Sequence, residues 1–257
     1  MDPNPEPDPG LAPDLVALRS LGGFFVLHTL ADPRPTVGED PAQLPTLAEA
    51  YATYADDTPL TWRVTTVAER LRTREARVAA SIAHQGLAAR LWSIALGCAV
   101  LYGRTPDLDP PLLRWDPCGS APYDLWLTRV SPLPGDAATV ADTVLRRHLA
   151  PLEAALRTRY GVAAGLLRGN SGSALAAAAR ELDRRAREDG RTDLADRARA
   201  LTGTLFAHPL LRGTGTRTGT AFRRHSCCLY YRVPGGGVCG DCCFTSPPRS
   251  SPRAASG

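Results

Sequence analysis

The sequence predicts a mainly α protein (α+β): a helical body with a small β component and a short hairpin module near the C-terminus. Three observations carry that prediction. Apolar residues recur at helical spacing through much of the 257-residue chain. Proline and glycine gather between those stretches, above all over 103–135 and after 211. Five of the seven cysteines fall within "CCLYYRVPGGGVCGDCC", residues 227–243.

Composition narrows the class. An apolar share of 44% and a charged share of 22% suit a chain that buries a core. The net charge is +4 and all 30 basic residues are arginine, but acids alternate with them, as in "ARELDRRAREDGRTDLADRARA". Such a run is a solvated helix face with i,i+4 pairs, so no nucleic-acid partner is expected. The N-terminus, "MDPNPEPDPGLAPDL", lacks the basic start and apolar run of a secretory signal. The longest apolar stretch, "LWSIALGCAVLY", is shorter than the roughly 20 residues a membrane span needs. We therefore expect a cytoplasmic protein with no membrane span and with reduced thiols rather than disulfides.

In chain order, residues 1–15 read as a flexible lead, and "LVALRSLGGFFVLHTL" as a short helix followed by a strand. The spacing of Thr66 and Glu69 is a capping box, so a helix is expected from Thr66. Val67, Leu71, Val78 and Ile82 then share a face, continued by Leu87, Leu91 and Ile94, with Gly86 a break or a close crossing. "APYDLWLTRV" alternates like a strand. From Asp136 an apolar stripe of Val140, Val144, Leu145 and Leu149 is helical, Pro151 breaks or kinks it, and Gly161 stops it. Ser171 or Ser173 caps a helix ending at Gly190, and a further helix covers about 193–207. "LRGTGTRTGTAF" reads as a linker and "TSPPRSSPRAASG" as a disordered tail. The expected organisation is a lead (1–15), a helix-rich body (16–210), a cysteine module (211–245) and a tail (246–257).

A module of some thirty residues needs a staple, and the cysteines supply one. Cys227 and Cys228 are adjacent, ten residues follow, and Cys239 and Cys242 are separated by two. Leu229–Val233 reads as a strand and Pro234 with Gly235, Gly236 and Gly237 as a turn, so a hairpin returns the second pair to the first. Two metals compete for four such thiolates. Structural zinc takes two pairs, each with two to four residues between ligands, and the first pair here has none. Iron–sulfur clusters use four thiolates at less regular spacings, and the glycine run admits backbone N–H groups near sulfur.

"RRHSCCLYYRVPGGGVCGDC" resembles the C-terminal [2Fe-2S] domain of the FhuF-like ferric-siderophore reductase family. "HQGLAARLWSIALGCAVL", "APYDLWL" and "RGNSGSALAAAAREL" resemble it less specifically, so that the likeness spans about 60–245. The resemblance implies a [2Fe-2S] cluster on Cys227, Cys228, Cys239 and Cys242, with Cys243 a spare thiol or a substitute for Cys242. It implies one-electron reduction of Fe(III) in an imported siderophore, with the electron drawn from a donor of the ferredoxin or flavin-reductase type. The alternative is a non-catalytic sensor that uses the same cysteines for zinc or a regulatory cluster.

Other candidates are fewer. Arg223 and Arg224 precede the cysteines and either attract an acidic donor or an anionic chelate, or offset the cluster's charge. His84 and Gln85 are placed to line a siderophore pocket, against a structural role for the histidine. Asn170 reads as part of a helix N-terminus, for anion binding or plain capping. Cys98 reads as a small core residue, and Cys118 has no assigned role.

Overall fold

The computed structural model of the chain describes residues 10–33, 40–52 and 57–248. The N-terminal nine residues and 249–257, most of the expected tail, lie outside them. The expected lead is structured where it is described: helix α1 (Ala12–Leu18) buries Leu15 and Leu18 behind a buried N-cap Leu11, and a two-residue strand β1 (His28–Thr29) follows.

Helix α2 (Leu47–Tyr51) carries a true capping box between Thr46 and Glu49. Helix α3 (Pro59–Arg70) is capped by Thr58 with Thr61 and starts on Pro59, so the expected start at Thr66 is corrected by a full two turns. Thr66 sits mid-helix. Proline at the first helical position, behind a threonine cap, was the stronger signal. Arg72 takes a left-handed φ of 51° and separates α3 from α4 (Ala76–Tyr102), so Val67 and Val78 lie on different helices.

Helix α4 passes unbroken through Gly86 and ends on left-handed Gly103. Its 27 residues are long and apolar enough to cross a bilayer, which the 12-residue apolar run had understated. Within the fold it is the core helix, with 72% of its most apolar window buried against its neighbours. A buried Arg90 in it pairs with Asp124 at 2.9 Å, and donates to Gly23 O at 2.6 Å and to Val26 O. Those bonds pin the Gly23–Phe25 turn to α4.

Short strands follow: β2 (Arg104–Pro106), β3 (Leu113–Trp115), β4 (Leu125–Leu127) and β5 (Pro132–Pro134). β4 lies between β1, parallel to it, and antiparallel β3; β2 pairs with β5. Asp136 caps α5 (Ala137–Ala141) through the Ala138 and Thr139 amides. The helix then widens into a π-helical stretch, Asp142–Leu149, before α6 (Ala150–Tyr160). Pro151, lacking an N–H, sits where regular helix resumes, and Gly161 ends α6 at φ 60°.

Helix α7 (Ala164–Glu188) starts seven residues before Ser171, and α8 (Thr192–Phe206) folds back along it. The core is built where α4 meets α3, α7 and, less extensively, α1, α6 and α8. Beyond α8, the stretch read as a linker is a β-hairpin, β6 (Gly215–Thr218) with β7 (Ala221–Arg224). Phe222 from that hairpin is buried and packs, tilted, against Phe206 of α8 with ring centroids 5.3 Å apart. The protein is mainly α with a small β component.

Candidate iron–sulfur site

The hairpin brings the cysteine loop onto α7 over a face of small residues. A Cβ at Gly169 would run into the Ser226 hydroxyl, and one at Gly172 would lie 2.6 Å from Thr214 Oγ1. Only glycine admits that approach. Ser226 Oγ donates to Gly165 O at 2.9 Å, so the chain entering the first cysteine pair is tied to the start of the helix.

Arg224, the last residue of β7, is 1% exposed. Its Nη2 donates to Asn170 Oδ1 at 2.5 Å and to Leu166 O at 3.3 Å. Asn170 Nδ2 in turn donates to Ser81 O and Oγ on α4, and Ser81 Oγ donates to Cys228 O at 2.8 Å. A buried polar chain therefore runs Arg224–Asn170–Ser81–Cys228. This corrects two expectations. Arg224 is not a surface lure for a partner, and Asn170 is inside α7 rather than at its N-terminus. The Gly-Asn-Ser-Gly-Ser stretch resembles a cap in sequence because its small polar residues suit caps; here they suit close packing. Arg223 is exposed and its Nη2 donates to Cys243 O at 3.0 Å.

The second pair is held from the same helix. Asp241, between Cys239 and Cys242, accepts from Ser173 Oγ at 2.6 Å and from Arg180 Nη1 at 3.0 Å. The Arg224 amide donates to Asp241 O, and the Cys242 amide to Cys239 O, closing the knuckle turn. Opposite, Arg232 pairs with Glu75 at 2.8 Å. Ser81, Ser173, Arg180 and Asp241 were missed by sequence reasoning. The one available signal was an acidic residue set between two thiols.

The loop itself differs from the expected strand. Leu229 is left-handed at φ 69° and Tyr230–Arg232 form a single 3₁₀ turn. That conformation aims amides at sulfur. The Leu229 amide donates to Cys227 Sγ at 3.2 Å and the Phe244 amide to Cys242 Sγ at 3.4 Å. The Tyr230 and Asp241 amides act likewise on Cys228 and Cys239. Each of the four sulfurs thus meets the N–H two residues on, a donor that stabilises thiolate. For Cys243 the amide that acts is its own. The glycine run supplies the turn rather than these donors: a Cβ at Gly236 would lie 2.5 Å from Tyr230 O.

The thiols interact with one another. Cys228 and Cys239 are 3.5 Å apart, and Cys227 feels Cys242 and Cys243. Their shared hydrogen bond holds Cys228 down to about 7 and pushes Cys239 up, the behaviour of two sulfurs holding one proton. Burial pushes Cys227 and Cys243 up. Among the described residues, no three His, Cys, Asp or Glu side chains converge to hold a lone metal ion. The adjacency of Cys227 and Cys228, with no residue between them, fits two bridged irons better than the spaced pairs of a structural zinc site. Arg224 adds a second test of fit. Its Nε and Nη1 are buried without a partner, none of its described ion pairs is to a carboxylate, and its charge acts on Cys227, Cys228, Cys239 and Cys243. A buried cation facing sulfurs calls for a group that makes those sulfurs anionic, and a thiolate-bound cluster does so.

His84 is buried with both ring nitrogens unpartnered, and burial together with Arg224 drives it down to about 3. It is not among the residues that line the cleft beside Cys228 and Cys239. Gln85, its neighbour, does line it. That cleft, of about 340 Å³, opens against the two cysteines and is walled by Phe24, Ile82, Gln85, Gly86, Ala89 and Tyr230. Cys98 is buried in the core, Cys118 is exposed, and all seven cysteines are free.

Comparison with known proteins bears on this stretch. Residues 224–244 match the family described as FhuF 2Fe-2S C-terminal domain. The match begins at Arg224 and contains all five clustered cysteines. A search of curated proteins finds no match to the chain. The chain carries an iron–sulfur domain of the FhuF type, whose resident group is a [2Fe-2S] cluster.

Proposed function

We propose that this protein reduces Fe(III) held in a siderophore to Fe(II), in the cytoplasm, with electrons from a ferredoxin or flavin-reductase type donor. Cys227, Cys228, Cys239 and Cys242 hold the cluster. When bound, the cluster supplies single electrons, each converting one chelated Fe(III) to Fe(II) with no bond to the protein made or broken. Siderophore oxygens are hard donors that grip Fe(III) far more tightly than Fe(II), so reduction loosens the metal.

The observation that carries this reading is the FhuF-type match over a cysteine loop of which Cys228 and Cys239 line an open cleft. The chain's residues do the rest. Four backbone amides and Arg224 favour thiolates, Asp241 and Ser81 lock the two halves of the loop to α7 and α4, and Phe24 and Tyr230 shape the approach. No hinge is needed to bring a substrate near the sulfurs.

The test is single-turnover oxidation. Protein made with iron and sulfide under anaerobic conditions is reduced, mixed with ferric siderophores, and followed in the visible range while Fe(II) is trapped by a chromogenic chelator. One Fe(II) per reduced cluster is expected. Colourless protein with stoichiometric zinc, or a reduced cluster that no ferric chelate reoxidises, sinks the proposal and leaves the sensor reading.

A further inference from the structure

Resting on that reading, we propose that the cleft against Cys228 and Cys239 is the docking site of the ferric chelate, held by Phe24, Gln85 and Tyr230. A concave space of about 340 Å³ has the size of a small-molecule site and cannot admit a donor protein's surface. Cys228 and Cys239 line it, so whatever fills it sits beside two of the proposed cluster ligands.

The lining describes the occupant. Phe24 and Tyr230 remain 49% and 37% exposed, large aromatic surface that the folded chain leaves to solvent. The Gln85 Oε1 atom is buried without a partner, a cost that an arriving N–H or O–H relieves. Apart from the two cluster cysteines, none of the lining side chains carries a fixed charge, so the flank docked against Phe24, Ile82, Ala89 and Tyr230 is apolar and uncharged apart from that one donor. A second apolar recess of about 320 Å³ shares Phe24 and Ala89 and continues along Ala174, Ala177 and Ala178 of α7. It gives room for the chain that links the metal-binding arms. The position of Phe24 is set by the buried Arg90, which holds both Gly23 O and Val26 O.

Gly86→Leu tests the site. Gly86 lines the cleft, and a Cβ there meets nothing closer than Arg63 Nη2 at 4.0 Å, so a larger side chain is accommodated without displacing backbone. Ala89→Leu fills the junction of the two recesses, and Gln85→Leu removes the lone acceptor. Binding is measured on oxidised holoprotein with tris(acetohydroxamato)gallium(III), which cannot be reduced under these conditions. Reoxidation of reduced holoprotein is measured with the iron(III) complex, and with hexacyanoferrate(III) as an oxidant that needs no cleft.

We expect Gly86→Leu and Ala89→Leu to weaken gallium-complex binding and slow oxidation by the iron complex at least tenfold. Oxidation by hexacyanoferrate(III) and the reduced-state EPR spectrum should stay unchanged. Gln85→Leu should raise KM with little effect on the limiting rate. Unchanged binding and unchanged oxidation in both filled variants overturn the proposal, as does wild-type protein that fails to bind the gallium complex. Variants slowed only in accepting electrons from reduced flavin overturn it too, because the cleft then serves the donor. Binding of the gallium complex without reoxidation by the iron complex leaves the docking site standing and removes the reductase reading.

Discussion

Arg224 brings a positive charge into the protein interior, where it acts on Cys227, Cys228 and Cys239 of the proposed ligands and on Cys243. A nearby cation favours the more negative, reduced state, so its removal makes reduction harder. For one electron, about 59 mV corresponds to tenfold in equilibrium. Arg224→Met is expected to lower the potential by on the order of 50 mV in an EPR-monitored titration, with Arg224→Lys recovering part of it. An unchanged potential in Arg224→Met would show that the charge is screened from the irons. The four amide-capped sulfurs differ from the fifth in the same local way. Cys243→Ser should keep the full reduced-state EPR signal, and Cys228→Ser or Cys239→Ser should lose it. Loss of signal in Cys243→Ser would make Cys243 a ligand.

Helix α7 is the element on which the module is seated, and Gly169 is where the seat is tightest. Gly169→Leu should cost about 1–3 kcal/mol by overpacking and strip the cluster, while far-UV circular dichroism keeps its helical signal. A variant that binds iron normally would mean the loop does not rest on that face. The same helix marks what the sequence could and could not convey. Asp136 as a start, Gly161 as a stop and the clustered cysteines were legible because each acts through its own neighbours in the chain. The Gly-Asn-Ser-Gly-Ser stretch was not, since the hairpin that makes small residues favourable there lies some fifty residues on. Leu229–Val233 misled for a related reason: its β-like composition is overridden by a left-handed Leu229 that turns amides toward sulfur. Ser81 and Arg180 carried no local pattern, because their roles exist only once α4, α7 and the loop meet.

At the scale of the whole molecule, two buried imidazoles couple the fold to acid. Burial holds His84 at about 3 and His148 at about 4, where His148 bridges the Tyr51 hydroxyl and Leu108 O. Below about pH 6.5 the unfolded chain takes up protons at both positions and the folded chain does not, so stability falls as pH falls. The loss continues to about pH 4 for His148 and about pH 3 for His84, at up to about 1.4 kcal/mol per unit for each. Denaturant titrations across that range should show the slope, and His84→Gln should flatten it. A slope unchanged in that variant would assign the acid sensitivity elsewhere. The core helix α4 also joins the two ends of the proposed chemistry: Ser81 bonds Cys228 O, and Gln85, Gly86 and Ala89 line the cleft one and two turns on. A single rod thus acts as a ruler between guest and sulfur. Tunnelling across so constant a span should be indifferent to solvent friction, and thickening the medium with glycerol should slow the encounter but not the jump.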